Sequence, residues 1–306
     1  MNILPYIFVL LAAMFWGTVG TTQTFLQEGI SPIAVAGVRS AIGGGVLLIA
    51  VLGMRKINLK KWSWKWTILA ALTIALFQSL FFTSVRYTGV AVGTVVTIGS
   101  SPVFAGIIEW LIFKRRPSRV WGIATLLAII GCILLFVNRG ETTIHPLGIL
   151  LALCAGSMFA LYTNSSKQLT EREETLPSVA LTFTLSAIFL LPFSQNGVSW
   201  VLNTQNLWPM LFMGLFATSL AYILYLAGLE KISSSSAVTL SLAEPLTAAL
   251  LGVFLVGEYL SPTSWIGVML LLGGILVLTL GSRKSIKQTK EVNLQQQNDV
   301  VSKETT

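Results

Sequence analysis

A carboxylate followed at once by a proline, Glu244-Pro245, stands in the middle of the apolar stretch SLAEPLTAALLG at residues 241–252. An ionisable group among Leu, Ala and Gly has three uses: handling cargo or a proton, pairing with a buried cation, or hydrogen-bonding as a neutral acid. Arg39, in the equally apolar AVAGVRSAIGG, is the cation available to it. Pro245 cannot donate to the carbonyl of Ser241, so that acceptor needs another donor and the helix is expected to break there. Pro102, after Gly99-Ser100-Ser101, predicts a matching break elsewhere. Helical spacing puts Ala75, Gln78 and Phe82 on one face, and sets Tyr222 and Tyr225 on another. Trp16 and Gly17 head a small, polar stripe with Thr21 and Thr24, while Phe159, Tyr162 and Asn164 form a further group. Aromatic walls with a few amide and hydroxyl groups suit a small amphipathic molecule. The expected binding set is Trp16, Gly17, Gln78, Phe82, Ser101, Pro102, Tyr162, Tyr222, Tyr225, Glu244 and Pro245, with Arg39 and Glu244 as a charge pair or coupling pair. The plainer alternative is that hydroxyls glue helices together and small residues let them pack closely.

The elements that must position these residues are membrane spans. Of the 306 residues 54% are apolar and only 10% charged, with the charges confined to short patches, which excludes an ordinary soluble core. Ten runs are long enough to cross about 30 Å of hydrocarbon at about 1.5 Å per residue. They lie near 5–25, 32–53, 66–86, 90–113, 119–137, 146–166, 177–195, 207–229, 234–257 and 263–281. The first lacks a preceding basic residue and a small-residue cleavage site, so it reads as a permanent span, not a signal peptide. With the N-terminus inside, sixteen Lys and Arg close to the span ends fall on the cytoplasmic side, against only Arg86 and Arg139 outside. That bias predicts a multi-pass protein of the cell (cytoplasmic) membrane with both termini cytoplasmic. It also accounts for the net charge of +8 without nucleic acid. Trp62, Trp64, Trp66, Trp200 and Trp208 sit where interfacial anchors belong. Glu109 reads as an interfacial charge near Lys114 and Arg116, Glu258 as a solvated helix end, and Cys132 and Cys154 as small apolar fillers.

Sliding the sequence by 143 residues lays 1–143 on 144–286 without a gap. Pro102 then meets Pro245, Ser118 meets Ser261, Gly131 meets Gly274, and Trp16-Gly17 meets Phe159-Ala160. Each half holds five spans, and an odd number makes the second half enter the membrane from the opposite side. The expected fold is an all-α polytopic membrane protein of ten transmembrane helices, built as two inverted five-helix repeats and followed by a disordered cytoplasmic tail at 287–306. Inverted repeats recur in secondary transporters, where one half moves against the other around a central site. At about 15 Å into its span, Glu244 lies near the bilayer midplane, and Arg39 is about 10 Å in from the outer face, within an arginine's reach.

The Trp-Gly pair in MFWGTVGTTQTF, the arginine in AVAGVRSAIGG, and SLAEPLTAALLGVFLVGEYLSP resemble the EamA family of the drug/metabolite transporter superfamily, over residues 1 to about 282. The resemblance implies a ten-span inner-membrane carrier, with export of amino acids, related metabolites or drugs. The first half departs from the pattern: Ser101 stands opposite Glu244 and Arg115 opposite Glu258, so no symmetric carboxylate pair exists. The rival classes are weaker. A membrane-embedded enzyme would have one histidine, His145, and one aspartate, Asp299, with no metal-like cluster, no nucleophile and base, and no nucleotide loop. A channel or scaffold would lack charge rings and filter loops. The expected partners are a small-molecule substrate and the lipid bilayer, with no cofactor, no metal and no nucleic acid. Monomer and homodimer both stay open.

Overall fold

The computed structural model of the chain describes residues 3–55, 60–136, 145–194, 197–256 and 259–280. The tail, Arg139 and Glu258 lie outside the described residues. Ten helices follow in order: α1 Leu4–Gln23, α2 Pro32–Gly53, α3 Trp64–Gly89, α4 Val92–Leu111, α5 Arg119–Leu135, α6 Pro146–Thr170, α7 Thr175–Phe193, α8 Thr204–Leu229, α9 Ser234–Phe254 and α10 Pro262–Leu280. Nine are long and apolar enough to cross a membrane, and α5 is the shorter tenth. No strand occurs among the described residues.

Local chemistry sets many of the boundaries. Proline occupies the first turn of α1, α2 and α6, where its missing N–H costs nothing and its fixed φ is already helical. Asn203 caps α8 by accepting from Gln205 N at 3.1 Å, and Ser233 caps α9 by accepting from Ser236 N at 3.2 Å. The chain leaves α3 and enters α4 at Gly89, whose φ of 78° and ψ of 165° lie in a region open essentially to glycine alone.

The helix contacts recur when the halves are exchanged. Glycines mark them, because backbones meet there. α1 packs on α8 at Gly228, which faces Pro5 and Val9, and on α9 at Gly17. Its counterpart α6 packs on α3 where Gly148 faces Tyr87 and Thr88, and on α4 where Gly156 faces Thr97, Ser100 and Ser101. α2 meets its own counterpart α7 at Gly44, against Phe183 and Thr184. α5 meets α10 twice, Gly131 on Gly267 and Leu271, and Gly274 on Ala124 and Ala128. At the 143-residue offset these last two contacts are images of each other.

The two ends of the bundle differ. At the end that carries the N-terminus, α6 from Tyr162 to Leu169, α7 from Pro177 to Phe183 and α9 from Ser234 to Ala243 are continuously buried. Polar contacts join the halves there. Glu173 accepts from the backbone N and the hydroxyl of Ser63 at 2.9 and 2.6 Å, and Arg115 pairs with Glu171 at 3.1 Å. Glu109 accepts from Ser235 N at 3.0 Å. This carboxylate is buried against the N-terminus of α9, not placed at the interface as its neighbours in sequence suggest. Trp62 is likewise buried and bonds Thr67 at 2.8 Å, while Trp208 is exposed as an anchor would be. At the opposite end Asn206 and Gln27 bond each other, yet α1 from Thr18 outward and α3 from Ser79 to Thr83 contain no buried residue.

Candidate functional site

Trp16 of α1 lies at the centre of a cluster of rings. Its ring centroid is 4.7 Å from Tyr222 and 5.1 Å from Tyr225, both on α8, and 6.1 Å from Phe159 on α6, which it meets edge to face. Tyr222 also touches Phe183 of α7 at 4.3 Å and Tyr162 of α6 at 5.8 Å. Tyr225 shares a hydrogen bond of 2.8 Å with Thr163. Rings at these separations hold one another in offset and edge-on arrangements, so four helices are locked around Tyr222. Trp16 is buried, and its Nε1 has no hydrogen-bond partner among the described residues.

The backbone of α8 is shaped at this cluster. Leu215–Leu220 forms a π-helical segment directly before Tyr222. Thr218 donates to the Met213 carbonyl at 2.9 Å, and Ser219 donates to Gly214 and, across to α2, to Gly43. Such widened turns are uncommon and concentrate at functional sites. The corresponding stretch of α3 is regular helix.

Glu244 reaches the same region from α9. Gly17 permits this: a Cβ there would lie 2.7 Å from the Glu244 carbonyl and 2.7 Å from Thr247 Cβ. The helix breaks as Pro245 predicts. Ser241 and Leu242 have ψ of −10° and −8°, and the Ser241 carbonyl accepts from Glu244 N at 2.9 Å in place of the proline. The matching break is absent. α4 runs helical through Pro102, with Gly89 the sole non-helical residue between Trp64 and Leu111. A proline forbids only its own donation. The turn before it tightens where another N–H folds back, as that of Glu244 does.

Arg39 and Glu244 are not in contact as an ion pair. Arg39 donates through Nη2 and Nε to a single oxygen, Oε1 of Gln78, at 2.8 and 3.3 Å. Glu244 makes no side-chain hydrogen bond and no ion pair among the described residues. Each still lies within the other's electrostatic reach, and Tyr222 within that of both. Arg39 and Glu244 keep part of their surface accessible, while Gln78 and Tyr222 are buried.

Of the predicted set, Trp16, Tyr162, Tyr222 and Tyr225 form the ring cluster, Gly17, Glu244 and Pro245 adjoin it, and Gln78 bonds Arg39. Phe82 stands further out, against Phe81 and packed with Ala36, Ala75 and Leu190. Ser101 belongs to the α4–α6 contact, and Pro102 is buried within α4. The Ser101 hydroxyl bonds the Thr97 carbonyl of its own helix at 2.7 Å. Phe77, which touches Phe159 at 5.1 Å, and Phe183 were not legible in sequence, since a phenylalanine in an apolar helix carries no mark of the face it presents. No group of three metal-ligating side chains occurs among the described residues.

Two stretches, residues 3–137 and 146–280, match the model of the EamA-like transporter family, and their starts are offset by the same 143 residues as the internal repeat. The chain belongs to the EamA-like transporter family. It is similar to the uncharacterized transporter YwfM of Bacillus subtilis, at 47% identity over 91% of this chain and 94% of that one. The uncharacterized inner membrane transporter YicL of Salmonella typhimurium is 27% identical over 90% of this chain and 95% of its own length. Protein PecM of Dickeya dadantii is 26% identical over 97% of this chain and 98% of its own. A solved crystal structure shares the fold with a TM-score of 0.79 at 18% identity, covering 92% of this chain and 98% of that one. The protein is therefore a multi-pass membrane transporter, and its family implies a small-molecule substrate.

Proposed function

We propose that this EamA-like transporter is a secondary carrier that exports small organic metabolites across the cell membrane by alternating access, with both termini cytoplasmic. The observation that carries this reading is the Glu244 carboxylate, without a hydrogen bond or ion pair among the described residues, on a largely buried residue beside an aromatic cluster and within electrostatic reach of Arg39 on a helix of the other half. A group so placed is expensive in a membrane unless cargo, water or a proton uses it. The reading takes residues 1–143 and 144–286 as the inverted units that move. The ends of the bundle support the state assignment: the N-terminal end is sealed by Ser63–Glu173, Arg115–Glu171 and Glu109–Ser235, and the opposite end is looser. In this reading the sealed end is cytoplasmic and the site faces outward.

The test is counterflow in proteoliposomes. Ligands are first selected by thermal shift among amino acids, organic acids, amines and nucleosides. A carrier gives saturable exchange with competition between ligands, and Glu244→Gln abolishes it while the protein still folds. Unsaturable flux, or equal exchange by the variant, overturns the reading.

A further inference from the structure

We propose that Gln78 is a positioning residue that holds the Arg39 guanidinium on α3, away from Glu244, so that the carboxylate stays open to a cationic nitrogen of the cargo. The inference rests on the carrier reading above but adds a role that reading does not contain. Opposite charges in a membrane interior attract strongly because little water screens them. Left alone, an arginine and a carboxylate that sense each other and both retain accessible surface would close into a bidentate pair. They have not done so here. The guanidinium instead places two donors on the one oxygen of Gln78.

Three features make Gln78 suited to the task. It is buried, so its position is fixed by packing. Its own Nε2 donates to the Ile74 carbonyl at 3.4 Å, which turns the amide so that the oxygen, not the nitrogen, faces Arg39. And it is neutral, so it orients the guanidinium without cancelling its charge. Three of the five Arg39 donors are left for an anionic group, and the Glu244 oxygens are left for a cation.

The experiment reads Glu244 directly and uses no cargo. The purified full-length protein is treated with an apolar carbodiimide, and modification at Glu244 is followed by mass spectrometry against the exposed Glu28 as reference. Gln78→Leu frees Arg39 to pair with the carboxylate, so labelling of Glu244 is expected to slow at least fivefold. Adding Arg39→Gln to that variant should restore it, a rescue that loss of packing alone would not give. An unchanged rate in Gln78→Leu, or no recovery in the double variant, overturns the proposal. Should Gln78→Leu fail to fold, Gln78→Met, which fills a similar volume but offers no amide oxygen to Arg39, must slow Glu244 labelling in the same way. Labelling at the wild-type rate there overturns the proposal equally. A failure of the carrier reading would appear as absent flux and leave these labelling rates as they are.

Discussion

Gly17 and Gly20 lie on the same helix one turn apart, and the structure gives them opposite tolerance for a methyl group. A Cβ on Gly17 would fall 2.7 Å from the Glu244 carbonyl oxygen and 2.7 Å from Thr247 Cβ, whereas one on Gly20 would meet nothing within 4 Å. Carbon contacts settle near 3.5 Å, so Gly17→Ala must push α1 and α9 apart by about 0.8 Å. The backbone carbonyl it strikes cannot rotate aside. Overpacking of that size costs about 1–3 kcal/mol. Both substitutions share the gain of up to about 1 kcal/mol that alanine has over glycine in a helix, so their difference isolates the clash. At about 2–4 °C per kcal/mol, Gly17→Ala should melt roughly 2–12 °C below Gly20→Ala in detergent. Equal melting temperatures, or the reverse order, would refute the close approach of α1 to the Glu244 turn.

Three further substitutions test other parts of the frame. Glu109→Ala should lower stability by about 2–3 kcal/mol, because it strips the buried acceptor from Ser235 N, and Glu109→Gln should recover most of that loss in the same melt. Gly89→Ala should cost about 1–3 kcal/mol, since φ of 78° with ψ of 165° is closed to a side chain, and a melt matching the parent protein would deny that backbone. Tyr225→Phe removes the bond to Thr163 but keeps the ring on Trp16, so a loss of about 1 kcal/mol in thermal unfolding is expected, far less than for Tyr225→Ala.

Much of the frame was legible because hydropathy and punctuation report on the solvent. Runs of about twenty apolar residues define the spans, prolines such as Pro32 and Pro146 open helices, and the repeat follows from the offset of Pro102 and Pro245. The site was legible only where a residue is out of place, as Glu244 and Arg39 are. The partner of Arg39 was not, because depth along a span says nothing about azimuth, and Gln78 and Glu244 lie at comparable depths on different helices. Glu109 was misread for the related reason that a helix N-terminus from the other half can satisfy a carboxylate as well as water does. The continuity of α4 through Pro102 shows the limit of a motif: the same residue type yields a break only where the chain before it refolds.

The internal duplication makes the asymmetry of the site informative. At the 143-residue offset Arg39 corresponds to Thr182, Gln78 to Ala221, Tyr222 to Ser79 and Glu244 to Ser101. Every polar group of the candidate site is thus present once, with the cation and its amide on the first half and the acid on the second. A pair of charges divided in this way has a separation that changes whenever the halves move relative to each other. Any ligand that bridges the two charges must then bind one arrangement of the halves better than the other, which is the condition under which binding can drive a conformational change.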